Sequence, residues 1–138
     1  MPSQRNKPVI ILGVAVALVA AVVGAKKADD RYEASDLERQ AEAMTGGSVA
    51  RGKLLFANYG CGGCHTATGL PQAHGSVGPP LDGVGARGII AGKLENKPDN
   101  LEQWIENPQK ITPGTAMPNL GVTPNDARDL AAFLYTKT

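Results

Sequence analysis

Both cysteines of the chain and one of its two histidines fall within five residues, Cys61-Gly-Gly-Cys64-His65. This is the Cys-x-x-Cys-His spacing of covalent c-type haem attachment. Two thiols three positions apart can add to the two vinyl groups along one haem edge, and the residue that follows brings an imidazole under the iron. Three other chemistries use the same residue types. A zinc site needs two further Cys or His ligands, and only His74 is left. A thioredoxin-like redox pair needs a strand and a helix around it, which these glycine-rich surroundings do not offer. A structural disulfide would use the cysteines and leave His65 idle. Haem attachment employs all three residues.

The elements that must hold this motif are helical. Ser48 can cap a helix running to about Tyr59, with Leu54, Leu55 and Phe56 as its apolar face. Residues 60–98 carry most of the Gly and Pro and read as loops with at most short helical turns. Asp99 or Asn100 can cap a helix bearing Leu101, Trp104 and Ile105, which must stop near Asn107 because Pro108 follows. Thr123-Pro-Asn-Asp126 joins a capping hydroxyl, a proline at the first helical position and an acid in the first turn, so a last helix should run to about Thr136 with Leu130, Phe133 and Leu134 on one side. No alternating stretch asks to be a strand. The expected fold is all-α.

The composition narrows the function classes. Lys and Arg number 14 against 13 Asp and Glu, which is not the balance of a nucleic-acid binder. The chain is 42% hydrophobic but only 4% aromatic, so something other than aromatic side chains should fill the core. Its apolar residues concentrate in Pro8 to Ala25, which lacks charge and is flanked by Arg5 and Lys7 before and by Lys26 and Lys27 after. As a helix this stretch spans roughly 27 Å, within the range of a membrane-crossing segment. It is longer than the apolar core of an export signal, so an uncleaved anchor is favoured over a signal peptide cut after Val23-Gly24-Ala25. No cysteine precedes Cys61, which removes cysteine lipidation as another anchor.

From Lys26 to Gly47 the chain holds four basic and six acidic residues and reads as a solvated stalk. Ser35-Asp-Leu-Glu38 has capping-box spacing and could start a short helix with Leu37, Ala41 and Met44 on one face, a candidate contact for a partner subunit. Gly46-Gly47 would then act as a flexible joint. The organisation expected is an anchor at residues 1–25, a charged stalk at 26–47 and a haem domain at 48–138.

Nearly all of this last segment resembles a class I monohaem cytochrome c. Gly52-Lys-Leu-Leu-Phe56 stands where the family has its amino-terminal helix, and Gly78-Pro79-Pro80-Leu81 resembles its Gly-Pro-x-Leu loop. Arg87 closes the pattern Leu81-x-Gly83-x-x-x-Arg87, and Asn107-Pro108 through Pro113-Gly114-Thr115-Ala116-Met117 matches the segment that brings a second axial ligand. Leu130 and Phe133 fall where the carboxy-terminal helix crosses the first one near Gly52 and Phe56. The resemblance implies about three to five helices around one covalent haem c, preceded here by a transmembrane helix. It implies iron ligation by His65 and Met117, with the second nitrogen of His65 bonded to the carbonyl of Pro79. It further places Leu81, Trp104 and Thr115 against the cofactor and Arg87 beside a propionate. His74 is a possible alternative ligand, although a solvent-exposed loop position suits it better.

With both axial positions filled, the implied activity is one-electron transfer and not catalysis on a small-molecule substrate. Haem attachment in this family occurs outside the cytoplasm, which puts the domain on the periplasmic side of the cell inner membrane with one helix in lipid. The partners expected are membrane complexes such as a quinol:cytochrome c oxidoreductase and a terminal oxidase, either shuttled between or, alternatively, joined as a fixed haem subunit of an oxidase, dehydrogenase or photosynthetic complex. The segment 48–138 holds eight basic and seven acidic residues and no lysine collar around the motif. A tether would supply local concentration in place of long-range steering.

Overall fold

The computed structural model describes residues 7–138, with side chains from Ile11 onward. Arg5 and the side chain of Lys7, which the charge pattern before the anchor includes, lie outside the described residues. The chain divides into two compact units, residues 1–36 and 37–138.

Helix α1 runs without a break from Lys7 to Thr45. Among the described residues it is the one helix long and apolar enough to cross a membrane, and side chains such as Ile11, Leu18 and Val22 are exposed along it. The capping box at Ser35 does not start a helix. Ser35 lies inside α1, its hydroxyl donating to the carbonyl of Tyr32. The reason is local: Ala, Glu, Arg and Gln on both sides are strong helix formers, and no Gly or Pro interrupts between Gly24 and Gly46. Gly46, in the left-handed conformation at φ 69°, ends the helix in the usual manner of a C-terminal glycine.

The second unit begins with the last turns of α1, which bury Ala41 and Thr45. Helix α2, Val49–Asn58, follows at once. Its free N–H groups are met three ways: Ser48 Oγ accepts from Arg51, Glu42 accepts from Val49 at 2.9 Å, and Asp129 accepts from Ser48 at 2.7 Å. Such acceptors answer the unpaired donors that every helix start exposes. Gly47 is therefore not a flexible joint, because a Cβ there would run into the backbone carbonyl of Arg128. The glycine permits contact, not motion.

Helix α3 spans Pro98–Glu106, α4 Pro108–Ile111 and α5 Pro124–Tyr135. Neither Asp99 nor Asn100 caps α3; Pro98 takes the first turn and Asp99 stands inside it, where an acid suits the helix dipole. Thr123 does cap α5, its hydroxyl accepting from Asp126 at 3.2 Å. Between α2 and α3 a small antiparallel ribbon, β1 Ile89–Ile90 and β2 Leu94–Glu95, departs from the strand-free expectation. It turns through Ala91 and Gly92, both left-handed, with Lys93 N–H donating to Ile90 O at 3.1 Å.

α2 crosses α5 at Gly52, where a Cβ would strike the carbonyl of Asp129. One turn on, Phe56 and Phe133 meet edge to face with centroids 5.7 Å apart. Asp129 pins the crossing from the other side. It is buried, and it takes both Nε and Nη2 of Arg51, at 2.7 and 2.9 Å, besides the Ser48 N–H. The Arg51 guanidinium and these donors hold its carboxyl below the usual 3.8. A carboxyl held low contributes stability that is present above its ordinary value and lost as pH falls through the lowered one. Asp129→Asn is thus expected to cost about 1–2 kcal/mol at pH 7. It should also shallow the fall in stability below about pH 4. Urea unfolding at pH 7 and pH 3 checks both; equal acid slopes in the two proteins would contradict it.

Candidate functional site

The cysteine motif is built by a short 3-10 turn, Cys61–Gly63, entered through Gly60 at φ 69°. Three residues make one turn of such a helix, so side chains three apart eclipse. Cys61 and Cys64 therefore share one side. His65 follows with its N–H donating to Cys61 O at 3.0 Å. Burial pushes the Cys61 thiol up to about 11, with Cys64 adding to the shift.

The next loop fixes the imidazole. His65 Nδ1 lies 2.7 Å from the carbonyl oxygen of Pro79, and since a carbonyl only accepts, Nδ1 carries a proton and Nε2 is the nitrogen left to act as a ligand. The ring packs directly over Gly78, where a Cβ would overlap it. Gly78 N–H donates to Cys64 O at 2.8 Å, and Leu81 N–H to Thr66 O at 2.9 Å, so the loop runs back along the motif. Arg87 Nη2 donates to Pro80 O and Asp82 O at 2.7 and 3.2 Å, tying the same loop from outside. Asp82 in turn accepts from the N–H and hydroxyl of Thr68, which keep its carboxyl below the usual range.

These residues open onto one apolar cavity of about 360 Å³ between α2, α3, α5 and the intervening loops. Cys61, Cys64, His65, Pro79, Leu81 and Arg87 line it, together with Trp104, Thr115 and Met117. All nine residues singled out in the sequence thus meet at one place. His74 does not; it is exposed and pairs with Thr66 in an isolated bridge. Trp104 is half-buried on α3, between the buried Leu101 and Ile105.

Several residues of the site carry no local signal in the sequence. Asn96 donates to Val84 O and Arg87 O, each at 2.8 Å, and accepts from the Tyr135 hydroxyl at 2.9 Å, joining α5 to the Arg87 loop. Burial, with Glu102 nearby, pushes that Tyr135 hydroxyl up to about 12. Gln109 on α4 holds the backbone around Met117. Ala91 lines the cavity with the unfavourable φ of 53°.

A haem fits what these residues offer. The wall is mainly aliphatic and aromatic, the two thiols and the imidazole converge on it, and the glycine at 78 leaves room for a ring pressed against the backbone. One more observation agrees. Among the described residues the single buried side-chain polar atom without a partner, Thr112 Oγ1, belongs to a residue of this cavity wall, where a polar edge of a bound cofactor would satisfy it. No group of three or more His, Cys, Asp or Glu side chains among the described residues is placed to hold a bare metal ion.

A helical domain folded around an apolar cavity with a Cys-x-x-Cys-His motif in its wall defines a covalent haem protein. Residues 49–137 match the Cytochrome c family model, and the chain belongs to that family. It is a class I c-type cytochrome, a class whose cofactor is haem c. The chain is 36% identical to "Cytochrome c" of Arabidopsis thaliana, over 67% of its own length and 91% of the relative's. It is 37% identical to "Cytochrome c2" of Rhodopila globiformis, over 65% and 93%. It is also 34% identical to "Cytochrome c oxidase subunit 2" of Alkalihalophilus pseudofirmus over 76% of this chain, which spans only 31% of that protein. No solved structure matches the chain.

Proposed function

We propose that this chain is a membrane-tethered monohaem cytochrome c that passes single electrons between membrane redox complexes, for example from a quinol-oxidising complex to a terminal oxidase. The observation that carries the reading is the meeting of Cys61, Cys64, His65 and Met117 on one apolar cavity. Cys61 and Cys64 would hold the haem, and His65 and Met117 would fill its axial positions. When bound, the haem supplies a one-electron ferric/ferrous couple. The chain's own part is to orient and insulate. The carbonyl of Pro79 accepts a hydrogen bond from Nδ1–H, fixing the ring of His65 and raising the basicity of Nε2. The apolar wall excludes water, which disfavours the more highly charged ferric state and raises the potential. Helix α1 would cross the inner membrane with the haem domain on the periplasmic side.

The rim of the cavity bears on how partners approach. Among the exposed residues that border it, Val77, Pro79, Ala116, Pro118 and Leu120 are apolar and Arg87 alone is charged. Residues 61–81 and 111–125 contain no Asp, Glu, Lys or Arg at all. Charge steering has little to act on here, so the rate of electron delivery to a membrane partner should change by less than about twofold between low and high salt. Stopped-flow oxidation in membranes measures this, and a steep fall with added salt would count against the reading.

The match to an oxidase subunit favours one other assignment, a fixed haem subunit of a larger complex. Mild detergent extraction followed by gel filtration separates the two. A haem protein eluting alone supports the mobile carrier, and a stoichiometric complex supports the subunit.

A further inference from the structure

We propose that Gln109 is the positioning residue for Met117, its amide setting how firmly the methionine is held at the cavity; the proposal rests on Met117 being an axial ligand. The segment 113–121 has no helix or strand, and its one backbone hydrogen bond runs from Thr115 N–H to Thr112 O at 3.1 Å. A loop so sparsely bonded does not hold one side chain in register by itself. Gln109 supplies what the backbone lacks. Its Nε2 donates one hydrogen to Thr115 O at 2.8 Å and the other to Met117 O at 2.7 Å, while its Oε1 accepts from Gly114 N–H at 3.1 Å. Both amide hydrogens and the amide oxygen are thereby used, on three points of the loop that carries Met117.

The brace itself stands on firm ground. Pro108 is fully buried beside it, Asn107 caps α4 by accepting from Lys110 N–H at 3.0 Å, and Gln109 N–H reaches Asn119 Oδ1 at 3.3 Å on the far side of Met117. Glutamine has the reach and the two donors that this task needs. Asparagine is one methylene too short, and glutamate cannot donate.

The test uses the full-length holoprotein in detergent and compares wild type with Gln109→Ala, Gln109→Met and Gln109→Glu. Carbon monoxide binding to the ferrous form reads how easily Met117 leaves, and hydrogen exchange of the Gly114 amide reads the loop independently. In Gln109→Ala and Gln109→Met, carbon monoxide affinity should rise at least about tenfold, a factor that losing two to three hydrogen bonds supplies, and Gly114 should exchange faster. Gln109→Glu keeps the acceptor and loses both donors, so its affinity should rise as much while Gly114 stays protected. A merely structural role would lower the unfolding midpoint and leave the Gln109→Glu pattern absent. Unchanged affinity and unchanged Gly114 exchange in all three variants would overturn the proposal. A wild type that already binds carbon monoxide tightly would instead count against Met117 as ligand, and Gly114 exchange would still decide whether Gln109 braces the loop.

Discussion

Gly52→Ala is expected to prevent the haem domain from folding. The position lies where α2 crosses α5, and an added methyl would meet the carbonyl of Asp129 and stand 2.8 Å from Phe133 Cβ. Backbone is the obstacle, so no side-chain rotation relieves it. Asp129 cannot retreat either, because Arg51 and the Ser48 N–H hold its carboxylate from the α2 side. The helices would have to part, and the contact between Phe56 and Phe133 one turn further on would open with them. Overpacking a well-filled core costs about 1–3 kcal/mol. A clash with fixed backbone should exceed that, reaching at least about 4 kcal/mol, a large part of the stability of a small domain. Gly88→Ala is the control, since its methyl would meet nothing within 4 Å and its φ is not left-handed. It should change stability by less than about 0.5 kcal/mol. Cooperative unfolding followed by circular dichroism distinguishes these outcomes, and a Gly52→Ala protein that unfolds like wild type would show that the crossing is looser than its geometry.

The same crossing illustrates what a sequence discloses and what it hides. Ser48 and Thr123 are legible because a cap acts on residues two or three positions away, and the haem motif is legible because its chemistry sits in five consecutive residues. Both signals are local. Ser35 carries the same kind of local signal and it fails, since a capping hydroxyl has no role inside a helix whose neighbours on both sides favour continuation. Gly47 looks like freedom in the sequence and turns out to be close contact, a distinction made only by Arg128 some eighty residues away. Asn96 and Gln109 gave no sign, because an amide side chain suits a surface loop as well as a hydrogen-bond hub. Their partners are backbone groups brought near by the fold, which no residue-type pattern encodes. The low aromatic content, by contrast, is accounted for: the core is built from Leu, Ile, Val and Ala with two Phe and Tyr135, beside an apolar cavity.

Met117→Ala should leave a folded, covalently loaded protein with altered iron chemistry. The side chain is half-buried on a loop, so its truncation should cost about 1–2 kcal/mol, less than for a fully enclosed methionine. Attachment depends on Cys61 and Cys64, and the hydrogen bond from His65 to Pro79 lies in a different loop, so neither should suffer. Removal of the thioether takes away the ligand that favours ferrous iron. The midpoint potential should then fall by on the order of 0.1 V or more, well inside the roughly 0.8 V that axial ligands command. The weak far-red charge-transfer band of the ferric form should vanish, and the ferrous form should bind carbon monoxide readily. His74→Ala, at an exposed position away from the cavity, should alter none of these. Absence of the band already in the wild type, with carbon monoxide binding raised by His74→Ala and not by Met117→Ala, would transfer the ligand role to the histidine. That result would require residues 66–74 to rearrange, since His74 is exposed, does not line the cavity, and is tied by its N–H to Gly62 O at 3.2 Å.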